Sequence, residues 1–237
     1  MRVLVACEFS GIVRDAFLKR GHDAWSCDLL PTERPGPHIQ GDVRDVLGNG
    51  WDLMIAHPPC TYLSYAGMAH WNKPGRAERR REAVQFFLEL FDAPVSKVCV
   101  ENPFGLPCQS FRRPDQVINP FDFGEPIRKR TCLWLRGLPI LFRSDDLFAM
   151  GGPRPVPPPA PIYIGVRKAS GKAKKRYTQD SRPRRRFIHW VEGFSSNQNR
   201  AHERSRFFPA IADAMAEQWG GLPLERAARE PDLFEEV

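Results

Sequence analysis

Leu53-Met54-Ile55-Ala56-His57-Pro58-Pro59-Cys60 is the stretch on which the reading of this chain turns. The four apolar residues read as a buried strand, and the next four as the loop into which it empties. Two consecutive prolines fix two φ angles and remove two N–H donors, which stiffens the turn carrying the thiol. A parallel α/β sheet presents its ligands to the carboxyl ends of its strands. A rigidly held cysteine at such an end is therefore a nucleophile candidate. The ordinary alternative for a Pro-Cys pair is a small buried cysteine ahead of a turn, and the rest of the chain decides between them.

Outward from this strand the pattern alternates. Arg2 to Cys7 is short, apolar and β-branched, Glu8-Phe9-Ser10-Gly11 is a turn, and Ile12 to Arg20 has helical spacing ending at Gly21. Ala24 to Cys27 reads as a second strand closed by Asp28, and Lys97 to Val100 as another closed by Glu101. Between them Arg76 to Phe91 is the clearest helix, with Val84, Phe87, Leu88 and Phe91 on one face behind a charged first half. Strands alternating with helices predict right-handed βαβ units and a mostly parallel sheet. After Pro126 the pattern changes. Thr131 to Leu135 reads as a strand, residues 151–161 as a proline-rich extended segment, and Pro209 to Trp219 as a helix with Ile211, Met215 and Trp219 in one stripe.

The 237 residues, 42% of them hydrophobic, suffice for one large domain or one domain with a small appendage. No apolar run approaches the roughly 20 residues of a membrane span, and the N-terminus runs straight into a strand pattern, which reads as a chain without a signal peptide. Six cysteines lie singly with no C-x-x-C pair. That pattern predicts reduced thiols in a cytoplasm and no zinc knuckle or other metal site. The net charge of +7 is concentrated: residues 167–186 hold ten Lys/Arg and one Asp, so the rest of the chain is slightly acidic. A basic segment without apolar period on a near-neutral body predicts a loop that grips a polyanion; its alternative is a solvated loop with no partner. The candidate phosphate contacts are Lys174, Lys175, Arg176, Arg182, Arg184, Arg185 and Arg186.

Three predicted strand ends carry an acid or a nucleophile: Asp28, Cys60 and Glu101. Asp28 suits a carboxylate accepting hydrogen bonds from a ribose diol, with the first turn covering a nucleoside; a plain strand-end cap is the alternative. Only Gly11 of a G-x-G-x-x-G pattern is present, so the turn favours a nucleoside cofactor without a pyrophosphate. Arg128 and Arg130 alternate before a strand, and alternate residues of an extended chain face the same side. They point either into one pocket or, as a basic turn, into solvent.

Phe9-Ser10-Gly11, Asp28, Asp42, Pro59-Cys60, Glu101-Asn102 and Arg128-x-Arg130 occur in the order of the motifs of DNA cytosine-5 methyltransferases. The chain resembles a short member of that family, of the kind often encoded by phages and prophages. The resemblance covers residues 1–137 and returns in the terminal helix. It differs from the family pattern at Val13, where a second glycine is usual, at Thr61 after the cysteine, and at Pro103 after Glu101-Asn102.

The resemblance implies a Rossmann-like α/β methyltransferase fold with a mostly parallel sheet and a small, irregular basic insertion. It divides the chain into a catalytic core (1–137), a short basic recognition region (138–200), a returning helix (201–220) and a frayed tail (221–237). It implies S-adenosylmethionine as cofactor, bound by Phe9, Ser10, Gly11, Asp28, Asp42 and Pro58. DNA is the implied partner, the bacterial cytoplasm the compartment, and a monomer the favoured state. Cys60 is then the nucleophile that adds to C6 of a cytosine flipped out of the duplex. Glu101 protonates the ring or shares a proton with N3, and Arg128 or Arg130 holds the base carbonyl and a phosphate. Two other readings stay open. His57-Pro58-Pro59 resembles the motif of exocyclic amino methyltransferases, but a cysteine stands where those enzymes place a stacking aromatic. A degenerate fold kept as a DNA-binding or decoy protein fits the missing glycine, and is opposed by the set of Cys60, Glu101 and the arginines.

Overall fold

The structure, a computed structural model, describes residues 1–125, 127, 129–143, 162–163, 185–186 and 207–221. Seven strands form one sheet: β1 (Arg2–Ala6), β2 (Asp23–Asp28), β3 (His38–Gln40), β4 (Leu53–Ala56), β5 (Lys97–Asn102), β6 (Gln116–Ile118) and β7 (Thr131–Arg136). Their spatial order is β3-β2-β1-β4-β5-β7-β6. The first five in that order are parallel, and β7 runs antiparallel to both β5 and β6. This is a doubly wound, Rossmann-like α/β fold, mostly parallel as the sequence predicts.

Alternating side chains of the central strands feed two separate cores. Val3, Val5, Leu53 and Ile55 face α1 (Ile12–Leu18) and a terminal helix described below, whereas Leu4, Ala6, Met54 and Ala56 face α2 (Arg76–Phe91). All eight strand residues are fully buried. A sheet covered on both faces needs continuous apolar runs, which is why Leu53 to Ala56 shows no polar alternation. The chain winds outward from β1 to β2 on one side and from β4 to β5 on the other. The direction therefore reverses between β1 and β4, which pair from Val3↔Leu53 to Ala6↔Ala56. Crevices at the carboxyl ends of strands flanking such a reversal are where these folds bind ligands.

The predicted helix at 76–91 has the expected bounds, but its buried face is set by Phe87, Leu90 and Phe91, with Val84 and Leu88 only partly covered. α1 ends at Leu18, short of the expected Arg20, and Gly21 takes the left-handed φ of 78° that lets the chain turn into β2. β3 and β6 are three-residue strands with mixed polarity, and no apolar run marks either in the sequence. A short helix α3 (Pro107–Ser110) follows β5.

The terminal helix α4 (Pro209–Gly220) buries Ile211, Met215 and Trp219 as predicted, packs on α1, and adds an Arg20–Asp213 ion pair at 3.2 Å. The expected basic loop differs at one point: Arg185–Arg186 (β9) pair antiparallel with Ile162–Tyr163 (β8). The predicted proline-rich extension at 151–161, the remainder of the basic segment and the tail beyond 221 lie outside the described residues. Among those described, no helix is long and apolar enough to cross a membrane.

Candidate active site

The first turn is built around a buried carboxylate. Glu8, almost fully buried after β1, accepts hydrogen bonds from Ser10 Oγ (3.0 Å) and from the backbone N–H groups of Val13 (2.8 Å) and Arg14 (3.3 Å). The N–H groups at the start of α1, which in dinucleotide-binding folds receive a phosphate, are here satisfied by the protein's own anion. That is the physical counterpart of the absent glycine pattern. Gly11 adopts φ 70°, and a Cβ at Gly11 or at Gly36 would strike the Arg14 guanidinium. Arg14 is fully buried and donates to Asp15, Ser26, Thr32 and the carbonyls of Arg34 and Pro35, so it staples the 32–36 loop over β2. Neither Glu8 nor Arg14 stands out in the sequence, because isolated charged residues at a turn and on a helix usually face water.

Beyond this turn lies an open cleft of about 510 Å³ at the carboxyl ends of β1, β2 and β4. Two of the six predicted cofactor residues, Asp28 and Asp42, line it; Phe9, Ser10, Gly11 and Pro58 do not, while Pro59 does. Leu29, Val43 and Phe86 supply apolar surface to the same cleft. Asp28 accepts the Leu30 N–H at 2.9 Å, and Asp42 accepts the backbone N–H of Arg44 at 2.9 Å and its guanidinium at 3.2 Å. The Arg44 N–H is the main cause that holds the Asp42 carboxyl below its ordinary range. Cys7 and Cys27 also line the cleft, but both remain thiols. Burial, then the charge of Asp28, pushes Cys7 far up and Cys27 up to about 11.

Cys60 is exposed on the turn after β4, and its carbonyl accepts from Leu63 N (3.1 Å) and Ser64 N (2.9 Å). This turn is locked to the segment after β5. Asn102 Nδ2 donates to the Pro58 carbonyl at 2.7 Å, Leu106 N to Leu63 O at 2.8 Å and Tyr65 N to Phe104 O at 3.3 Å, and Ser64 bridges Gly105. Gly105 is required here, since a Cβ would run into the backbone of Leu63. Tyr62, two residues past the thiol, reaches the cleft and accepts a 2.7 Å bond from Arg79, with the Arg76 guanidinium 4.8 Å above its ring. Tyr62 is not among the residues expected from the sequence; its spacing from Cys60 and the arginines of α2 were the available signals.

The parallel register Ala56↔Val100 places His57 beside Glu101. His57 Nδ1 lies 3.2 Å from Glu101 Oε2, and Thr131 Oγ1 donates to Oε1. Burial raises the Glu101 carboxyl, but the hydrogen bond and field of His57, the charge of Lys129 and the Thr131 bond outweigh it and leave the group below its ordinary value. The resting Glu101 is therefore a carboxylate. The acid form expected from the sequence is therefore not the resting one, and a proton shared with N3 has to be delivered during the reaction. Arg130 is exposed with its guanidinium 4.6 Å over the Phe104 ring, and Lys129 sits 5.1 Å over Phe208. Arg128 lies outside the described residues, as do Lys174, Lys175, Arg176, Arg182 and Arg184; of the predicted phosphate contacts only the backbone of Arg185 and Arg186 is described.

The site thus combines an exposed thiol on a clamped turn, a buried carboxylate–imidazole pair on the neighbouring strand, and a nucleoside-sized cleft flanked by two carboxylates. No protein-family model matches the chain, and no curated protein matches it. Among solved structures, that of the Entamoeba histolytica methyltransferase EhMeth is similar, with a TM-score of 0.39 and 14% identity over 59% of this chain and 53% of that one. The chain spans about half the length of that protein.

Proposed function

We propose that this protein transfers a methyl group from S-adenosylmethionine to C5 of cytosine in DNA through a covalent adduct with Cys60. The observation that carries the proposal is the strand-end pairing of the Cys60 turn with Glu101, clamped by Asn102 at the lip of the cleft. The cleft suits the cofactor in three respects. Asp28 and Asp42 offer acceptors for ribose hydroxyls, Leu29 and Phe86 offer apolar surface for a heterocycle, and Glu8 occupies the helix start where a phosphate would otherwise be held. When bound, S-adenosylmethionine supplies an electrophilic methyl group.

The chain's own residues supply the rest. The Cys60 sulfur bonds to C6 of the base, its thiol proton passes by way of the Glu101 carboxylate to N3, and the displaced ring electrons make C5 nucleophilic. After methylation C5 gives its proton to solvent, the C6–S bond breaks, and the N3 proton returns through Glu101 to the departing sulfur, which restores the Cys60 thiol. The target base has to leave the duplex to meet the thiol, and the basic residues of 167–186 supply the phosphate contacts that hold the strand.

The test is DNA containing 5-fluorocytosine, in which fluorine blocks the final elimination. Wild-type protein with cofactor forms a denaturation-resistant adduct, and Cys60→Ala forms none. Nucleoside mass spectrometry of DNA from expressing cells shows 5-methylcytosine for wild type alone. Methylation by Cys60→Ala at the wild-type level overturns the mechanism, and a product methylated on the exocyclic amine overturns the position.

A further inference from the structure

We propose that His57 is the positioning residue of this site: its Nδ1–H holds one oxygen of Glu101 so that the carboxylate plane meets the edge of the target base. The inference rests on the cytosine reading above and goes beyond it, since no role for His57 follows from the reaction itself.

The geometry is over-determined. The His57 side chain is nine-tenths buried, its ring packs on Phe207 at 4.6 Å between centroids, and its backbone N–H is fixed to Ala6 O at 2.9 Å. A carboxylate accepts and does not donate, so Nδ1 carries the hydrogen in the His57–Glu101 bond. With Thr131 on the other oxygen, Glu101 is held by one donor on each side. Two oxygens offer about four lone-pair positions; these two donors leave one position on each oxygen for a ligand. A cytosine edge presents an N4–H donor and, once protonated, an N3–H donor side by side, which is the complement of a carboxylate with its plane fixed.

A second observation points to a ligand at the same place. His57 Nε2 is buried and without a hydrogen-bond partner among the described residues. This atom belongs to the ring that holds Glu101, and it marks a polar edge of the site that the described residues do not complete.

Two substitutions separate the donor from the imidazole. His57→Asn carries an amide nitrogen near the position of Nδ1 and keeps the bond to Glu101. His57→Leu removes the donor and keeps the bulk. For His57→Leu we expect kcat to fall about 100-fold, the scale of a misplaced catalytic group, with KM for S-adenosylmethionine within about threefold of wild type. For His57→Asn we expect most of that loss to be recovered. If thermal melting shows that His57→Leu does not fold, His57→Gln replaces it, because its amide lies one carbon farther out and misses Glu101. Wild-type kcat in the donor-less variant overturns the proposal, and so does an Asn variant as impaired as that one. The wild type, run in parallel on 5-fluorocytosine DNA, separates the positioning role from the reaction. An adduct from wild type with no effect of His57 overturns the positioning role alone, whereas no adduct and no product from wild type overturns both.

Discussion

The side-chain amide of Asn102 donates to the carbonyl of Pro58 at 2.7 Å, tying the end of β5 to the turn that carries Cys60. Glu101, one residue earlier on the same strand, reaches His57 on the other side of that turn. Successive side chains of a strand point to opposite faces, so two consecutive residues of β5 grip the Cys60 turn from both sides. The thiol's position is thus set by β5 as much as by β4.

This grip predicts the effect of loosening it. Asn102→Ala leaves the buried Pro58 carbonyl without its donor and lowers stability by about 1–3 kcal/mol, with turnover falling further than cofactor affinity. Gly105→Ala drives a Cβ into the Leu63 backbone and costs about 1–3 kcal/mol. Gly48→Ala, which meets nothing within 4 Å, stays within about 0.5 kcal/mol of wild type. Urea unfolding of the three variants checks the order.

Arg14 is a structural arginine. Arg14→Met keeps its length but strands Asp15, Ser26 and two loop carbonyls, at a cost of about 3 kcal/mol, the low end for a broken buried pair because Asp15 is one third exposed. Arg14→Lys does not restore it, since an ammonium lacks the planar fork that reaches several acceptors at once. Denaturant midpoints of both variants test this.

Asp28 is expected to bind the cofactor. Asp28→Ala weakens S-adenosylmethionine binding by about 1–3 kcal/mol through loss of a charge-assisted hydrogen bond. Asp28→Asn keeps an acceptor for the Leu30 N–H and so controls for the loop. Calorimetry showing wild-type affinity in both variants removes Asp28 from the site.

The Glu101 carboxyl is lower in the folded protein than its ordinary 4.5. A depressed carboxyl stabilises the fold above the unfolded value and ceases to do so as pH falls through the folded one. Glu101→Gln is therefore less stable than wild type at pH 7, and the gap narrows below about pH 4.5. Urea titrations at neutral pH and at a pH about one unit below that value give the comparison; a gap independent of pH shows that the carboxylate's charge contributes nothing.

The basic segment is expected to grip phosphates. Replacing Arg182, Arg184, Arg185 and Arg186 by Ser flattens the log–log salt dependence of DNA binding by about one unit for each phosphate no longer neutralised. Sequence preference changes less, because phosphate contacts carry no base information. Binding measured over a range of about 50 to 200 mM salt checks both statements, and an unchanged slope identifies a solvated loop.

Much of this architecture is legible in the linear chain. Leu53 to Ala56, Val3 to Ala6 and Val98 to Val100 are apolar without alternation, and local composition alone reports a strand buried on both faces. The bounds of α2 and the stripe of α4 follow from period, and the strand-end positions of Asp28, Cys60 and Glu101 follow from where the apolar runs stop. What local pattern determines is therefore the central elements, though not the short β3 and β6, and the loops that bear chemistry. Only tertiary structure decides which of those loops meet. The His57–Glu101 and Asn102–Pro58 contacts depend on the register of β4 against β5, and the burial of Glu8 and Arg14 depends on how a turn and a loop close over α1. Register and closure arise from pairing between residues far apart in the chain, and no single stretch of sequence carries that information.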